Sequence, residues 1–162
     1  MKIRKALSRD ADALWTLRNR AILTGCAAHY PADLLQRWIE GEITDKFRRI
    51  VIEQFWLIEQ AQHPLACGMI TTSHPTTANA PIGQLDAIFV DPKAMGQGAG
   101  KAMIGHLEQL GRDAGLTELT LEATLNAAPF YRRCGFIGET VEQYPSPRGF
   151  TLDCIPMVKP LK

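Results

Sequence analysis

Apolar and polar positions fall along the chain in short blocks that assign most of it to helices and strands. Lys2 to Leu7 reads as a first strand. Ser8, Asp10 and Asp12 then place a helix start where acidic groups meet the positive end of the dipole. Leu14, Leu17, Ala21 and Ile22 recur on one face of that helix, which ends near Gly25. The aromatic and proline punctuation of AAHYP separates it from two shorter helices, Asp33 to Glu40 and Thr44 to Gln54, with Gly41 as the break between them. Within the second of these, IVIE, Ile50 to Glu53, is too short for periodicity to choose between helix and strand. Phe55 to Glu59 and Leu65 to Thr72 are predicted strands, joined by AQHP, whose proline favours a turn, and His74 to Gly83 reads as loop. Leu85 to Val90 is the next strand. Met103, Leu107, Leu110 and Ala114 form the apolar stripe of a helix capped by Gly115. Leu119 to Thr124 follows as strand and Asn126 to Cys134 as a short capped helix. Ile137 to Gln143 and Phe150 to Met157 close the chain as strands around YPSPRG.

A helix of crossover length between the fourth and fifth strands makes them parallel neighbours, while the other strands can pair as antiparallel meanders. The expected class is therefore α/β (α+β), with a mixed, mostly antiparallel sheet of about seven strands, flanking helices, and a single domain over residues 1–162. No internal repeat or linker interrupts it.

Composition narrows the partners. The chain is 46% hydrophobic and 22% charged with a net charge of +1, values of a globular protein with no electrostatic reason to bind nucleic acid or an anionic membrane. Cys26, Cys67, Cys134 and Cys154 match no metal-ligand spacing, so neither a metal site nor a disulfide framework is expected, and the compartment reads as reducing. With no signal-like N-terminus and no apolar run of membrane length, the cytoplasm is the expected location.

The segment VDPKAMGQGAGKAM, Val90 to Met103, sets three glycines at alternate positions between a strand and a helix. It fails the dinucleotide fingerprint, which needs glycine at Lys101 or at Met103, and it fails the Walker A loop, which needs glycine at Met95 and Ser or Thr at Ala102. What remains is GxGxG entering a helix. Unpaired N–H groups at a helix start, with no Cβ in the way, suit a diphosphate; a tight structural turn fits the same pattern.

Val90-Asp91-Pro92 followed by Met95-Gly96-Gln97-Gly98-Ala99-Gly100 resembles the acyl-CoA pyrophosphate loop of the GCN5-related N-acetyltransferase (GNAT) superfamily. Asn126 with FYRRCGF, Phe130 to Phe136, is similar to the family's second signature, and GFTLDCIPMVKPL to its last strand. The resemblance implies the acyl-CoA N-acyltransferase fold with the fourth and fifth strands splayed, acetyl-CoA as cosubstrate, and direct attack by a primary amine of a small molecule or peptide. It places the coenzyme on Met95, Gly96, Gln97, Gly98, Ala99, Gly100 and Lys101, and its pantetheine arm along Ile88, Phe89 and Val90. Asn126 either bonds the pantetheine amide or caps its helix. Met95 stands where the family usually carries arginine or glutamine; Lys93, Lys101, Arg132 and Arg133 are the available cations, and Arg132 is assigned to the coenzyme.

For the chemistry, Asp86 is the one carboxylate on the strand Leu85 to Val90 and is the first candidate for general base, with Glu122 second. Each also fits a purely structural reading. The resemblance assigns Tyr131 to the leaving thiolate. His29, Tyr30 and Trp38, with Tyr144 and Arg148 of the YPSPRG loop, lie where this architecture builds the acceptor pocket. His63, His74 and His106 are expected at the surface. A non-catalytic acyl-CoA-binding or sensor module is the alternative, and the oligomeric state, a homodimer included, is left open.

Overall fold

The computed structural model of the chain describes residues 1–72, 81–146 and 148–161. The first strand, β1 (Lys2–Lys5), leads through a 3-10 turn at Ser8–Asp10 into α1 (Ala11–Gly25). Arg4 fixes this corner. It donates to both Asp10 oxygens, at 2.8 and 2.9 Å, while Leu7 N–H bonds Asp10 Oδ2 at 2.7 Å. Helices α2 (Ala32–Ile39) and α3 (Asp45–Gln54) follow, the latter N-capped by Thr44, whose hydroxyl accepts from Phe47 N–H. The ambiguous Ile50 to Glu53 is helical.

The hairpin of β2 (Phe55–Gln60) and β3 (His63–Thr71) turns at Ala61 and Gln62, both at positive φ, 51° and 67°. This corrects the expected AQHP turn. Two left-handed residues match the twist of the strands, and Pro64 lies within β3 opposite Glu59. Next comes β4 (Ile82–Val90), so Ile82 and Gly83 of the expected loop are strand and residues 73–80 of it, His74 included, lie outside the described residues. A 3-10 turn at Pro92–Ala94, α4 (Ala99–Asp113), β5 (Glu118–Thr124), α5 (Ala128–Arg133), β6 (Glu142–Pro145) and β7 (Thr151–Pro160) complete the chain. The strand expected over Ile137 to Gln143 shrinks to one bridge, Ile137 to Val158, before β6. At Gly138 the backbone passes so close to Pro156 that a Cβ there would clash with the Pro156 carbonyl.

The seven strands form one sheet in the order β1-β2-β3-β4-β5-β7-β6, antiparallel except for β4 and β5. On one face α4 buries Met103, Ile104 and Leu107 against Ile58, Leu85, Leu119 and Met157. On the other, α1 and α3 press Leu14, Leu17 and Val51 onto Phe55, Leu57, Cys67 and Met69, and a third cluster joins Ile22, Tyr30 and Leu35 to Phe150 and Leu152. Among the described residues no helix is long and apolar enough to cross a membrane.

Candidate active site

The site begins with a fault in the sheet. The parallel pair β4 and β5 is bonded only from Ile82 to Gln84 against Glu118 to Thr120. Beyond that the register of β3 and β4 slips: Met69 faces Asp86 but Cys67 faces Phe89, so Gly68 alone opposes Ala87 and Ile88. Ala87 sits at φ 55°, a left-handed position rare for a residue with a Cβ, and its carbonyl accepts from Cys67 Sγ at 3.3 Å. This bulge swings the end of β4 away from β5. A cleft of about 550 Å³ opens between them, walled by Ile88, Phe89 and Val90 on one side and Leu121, Glu122 and Thr124 on the other.

At one end of the cleft lies the glycine turn. Gly96 and Gly98 adopt φ 82° and 85°, and a Cβ on either would meet nothing within 4 Å, so both glycines border open space. Gly100 has a different reason, because a Cβ there would lie 3.0 Å from the Phe130 ring. The first bond of α4 runs from Ala102 N–H to Gly98 C=O, which leaves the N–H groups of Ala99, Gly100 and Lys101 ahead of it at the positive end of a helix dipole. Lys101 and Arg133 add cations to the same cleft. An Arg20–Asp91 ion pair at 2.8 Å ties α1 to the turn.

Where the strands part stand the groups able to move protons. Tyr131, 7% exposed, lines the cleft between the rings of Phe130 and Phe136, and its hydroxyl bonds to no other described residue. Burial, with Cys134, Asp86 and Cys67 nearby, drives its pKa far up, so it stays protonated. Asp86 also lines the cleft and accepts from Gln84 Nε2 at 3.3 Å. Glu122 is exposed, and partial desolvation of its carboxyl, then the like charge of Glu142, shift it above its ordinary value.

The cleft therefore gathers most of the residues expected from the sequence: Asp86, Ile88, Phe89, Val90, Met95, Gly96, Gly98, Ala99, Gly100, Lys101, Glu122, Asn126, Tyr131 and Trp38. Four others fall outside it. Gln97 bonds the Lys93 carbonyl and, with Lys93, faces a separate hollow behind the turn. Arg132 is drawn away by two bonds to Gly138 C=O, at 3.2 and 3.1 Å, and the next residue on the helix, Arg133, takes the cleft side. His29 is exposed and Tyr30 is core. The Tyr30 hydroxyl donates to Asp153 C=O at 2.5 Å and accepts from Leu125 N–H at 3.1 Å, and burial pushes its pKa up to about 12. Asn126 caps nothing: α5 starts two residues on, with Ala127 as its cap residue. Its Oδ1 accepts from Cys26 Sγ at 3.4 Å, which brings the end of α1 to the cleft. His106, expected at the surface, packs edge-on to Trp56 at 4.4 Å with Nε2 buried and without a partner among the described residues. The residues that sequence reasoning missed are Ala87, whose φ no local pattern signals, and Cys26. Among the described residues no group of three or more His, Cys, Asp or Glu is placed to hold a metal ion.

A family model described as the acetyltransferase (GNAT) domain matches residues 52–137, from the end of α3 to just past α5. The peptidyl-lysine N-acetyltransferase YjaB of Salmonella typhimurium is 35% identical over 138 residues, 84% of this chain and 83% of that protein. Glucosamine 6-phosphate N-acetyltransferase of Trypanosoma brucei brucei is 33% identical over 61 residues, 38% of this chain and 42% of that protein, so the match spans less than half of that relative. The PaiA N-acetyltransferase of Thermoplasma acidophilum, solved in complex with coenzyme A, shares the fold with a TM-score of 0.73 at 16% identity over 98% of either chain.

Proposed function

Because the chain belongs to the GNAT acetyltransferase family, we propose that residues 1–162 act as one domain that transfers the acetyl group of acetyl-CoA to a primary amine. The observation that carries this reading is the continuity of one cleft, from the free N–H groups at the head of α4 to Tyr131 and Asp86 where β4 and β5 part. The open space over Gly96 and Gly98 fits a diphosphate held by Ala99, Gly100 and Lys101 N–H, with Lys101 and Arg133 supplying cations in place of the side chain that Met95 lacks. Ile88 to Val90, released from β5 by the bulge, offer backbone N–H and C=O groups to an extended arm.

Bound there, acetyl-CoA supplies an acetyl thioester, whose C–S bond breaks as the amine nitrogen forms its bond to the acetyl carbon. The chain's residues manage the protons. Asp86 takes up the proton of the amine. At ordinary values, about 3.9 against about 10.4, direct transfer would be uphill by roughly 9 kcal/mol, so the transfer runs through water. Tyr131, held protonated by burial, gives a hydrogen bond to the departing sulfur. Glu122 is the second carboxylate in reach of the same space.

Incubation with acetyl-CoA and a panel of amines, read by release of free thiol, tests the proposal. Thiol release that depends on both components is the expected result. Thermal stabilisation by coenzyme A with no thiol released from any amine would overturn it and leave a binding module.

A further inference from the structure

Glu108 is the only charged residue in the buried core among the described residues, at 7% exposure, and no step of the acetyl transfer uses it. It stands on α4. Lys159 of β7 donates to its Oε1 at 2.8 Å, and Arg112, one turn along the helix, lies 3.6 Å from its Oε2. The same ammonium reaches a third element. Lys159 Nζ donates to the carbonyl of Cys134, the C-cap of α5, at 2.6 Å, where the negative end of a helix favours a cation. The backbone is shaped for this approach: Gly135, just past α5, adopts φ 97°, and a Cβ there would lie 3.1 Å from Lys159 Cε.

Stability alone accounts poorly for a buried ion pair. The cost of desolvating both charges cancels most of their attraction, so apolar residues of the same volume would hold the fold about as well. What the pair adds is bonds of fixed length and direction. These bonds join the two helices that supply the site. α4 presents the N–H groups of Ala99, Gly100 and Lys101, and α5 carries Tyr131. From Cys134 the path to Tyr131 is short. Cys134 N–H and Phe136 N–H both bond the Tyr131 carbonyl at 3.0 Å, and the Phe136 ring meets the Tyr131 ring edge-on at 6.0 Å while the Lys159 ammonium lies 6.0 Å from the Phe136 centroid.

We propose, resting on the acetyltransferase reading above, that Lys159 is a positioning residue for the reaction. Paired with Glu108, it holds the end of α5 at a set distance from α4, so that the Tyr131 hydroxyl meets the sulfur of a coenzyme whose diphosphate is gripped at the head of α4. Lys159 touches no reacting atom. It acts through Tyr131, so the loss of kcat on removing it is bounded by the roughly tenfold loss expected from Tyr131→Phe.

The test is a double-mutant cycle on kcat. Lys159→Met with Glu108→Gln removes both charges and keeps both side-chain lengths, and it is made in the unmodified protein and in Tyr131→Phe. Butylamine, glucosamine 6-phosphate and a lysine-containing peptide are the acceptor amines, and the fastest of them is carried through, well below every melting temperature. The expected result is a fall in kcat of about fivefold with an unchanged Kd for acetyl-CoA, and no further fall in the Tyr131→Phe background. Glu108→Gln alone leaves the bond to Cys134 and offers Lys159 an amide oxygen, so it keeps the fold and should repeat the pattern at about twofold. An unchanged kcat in both the pair and Glu108→Gln, or an equal fall with and without the Tyr131 hydroxyl, would overturn the positioning role while leaving the acetyltransferase standing. If the unmodified protein releases no thiol with any amine, the acetyltransferase reading fails and the positioning role falls with it.

Discussion

Replacing Tyr131 by phenylalanine separates catalysis from packing. The ring is almost wholly buried and meets Phe130 and Phe136 edge-on, at 5.2 and 6.0 Å between centroids, and phenylalanine keeps both contacts. The hydroxyl bonds to no described residue, so removing it breaks no hydrogen bond among the described residues. Stability should change by less than about 1 kcal/mol, a Tm shift under about 4 °C for a chain of this size. Turnover should respond differently. If the hydroxyl supports the departing sulfur, its loss should lower kcat by roughly tenfold, about 1.4 kcal/mol of transition-state stabilisation, with little change in acetyl-CoA affinity. Steady-state kinetics, calorimetric titration with acetyl-CoA and a thermal melt measure the three quantities. Unchanged kcat would reduce Tyr131 to a wedge between α5 and the sheet, and a large drop in Tm would show a structural bond to the hydroxyl. Because burial holds the phenol protonated, the alkaline limb of the pH profile should be the same in both proteins.

Gly98→Ala should destabilise the fold by about 1 kcal/mol through its left-handed φ of 85° and weaken acetyl-CoA binding by directing a methyl group into the cleft, both read from melts with and without ligand. Lys159→Ala should lower Tm by about 5 °C, roughly 2 kcal/mol, because it removes the closer of the two cations on the buried Glu108, at 2.8 Å, leaving Arg112 at 3.6 Å, and frees the Cys134 carbonyl; a smaller loss in the Lys159→Met, Glu108→Gln pair would confirm the cause. His106 has a lowered pKa from burial against Trp56, so the unfolded chain binds its proton more readily than the native one. Its contribution to stability is then fully present above the ordinary histidine value and lost as pH falls from there through the lowered native value, and His106→Leu should flatten that part of the stability profile.

The fold was largely legible because its periodicities are local. The stripe of Met103 and Leu107 marks α4, and Ile82 to Val90 reads as strand from Leu85 onward. What escaped depends on contacts between distant residues. Ile137 to Gln143 has strand-forming residues, but the closeness of Gly138 to Pro156 limits its pairing to a single bridge. Tyr30 and Trp38 look alike as aromatic candidates near a helix break. Only the bonds to Leu125 and Asp153, residues brought there by β5 and β7, place Tyr30 in the core while Trp38 borders the cleft. Arg132 and Arg133 are neighbours in sequence, and the helical rotation between them decides which reaches the cleft. Asn126 was expected either to bond the coenzyme or to cap its own helix; it does not cap α5, and it lines the cleft while its Oδ1 accepts from Cys26 Sγ at the end of α1.

The geometry of the site traces back to Ala87 more than to the glycines. A parallel pair of strands would ordinarily stay bonded along its length, closing the space that an acyl chain needs. The extra residue opposite Gly68 prevents this, and the left-handed Ala87 turns the direction of β4 just after Asp86. Asp86 thereby becomes the last residue of β4 in register with β3 before the slip and borders the opening, and Ile88 to Val90 are freed from β5 while Ala66 and Cys67 still hold β4 from the other side. Cys67, fully buried and with its thiol pushed up to about 12, supports the strained carbonyl of Ala87 from beneath. A glycine at position 87 would adopt the same φ without a Cβ penalty, so the alanine there indicates that the methyl group packs usefully with the α1 and α3 face, where Ala87 lies beside the core of that side. Strain concentrated in one residue and paired contacts on only one side of β4 together hold the cleft open without any element devoted to that task.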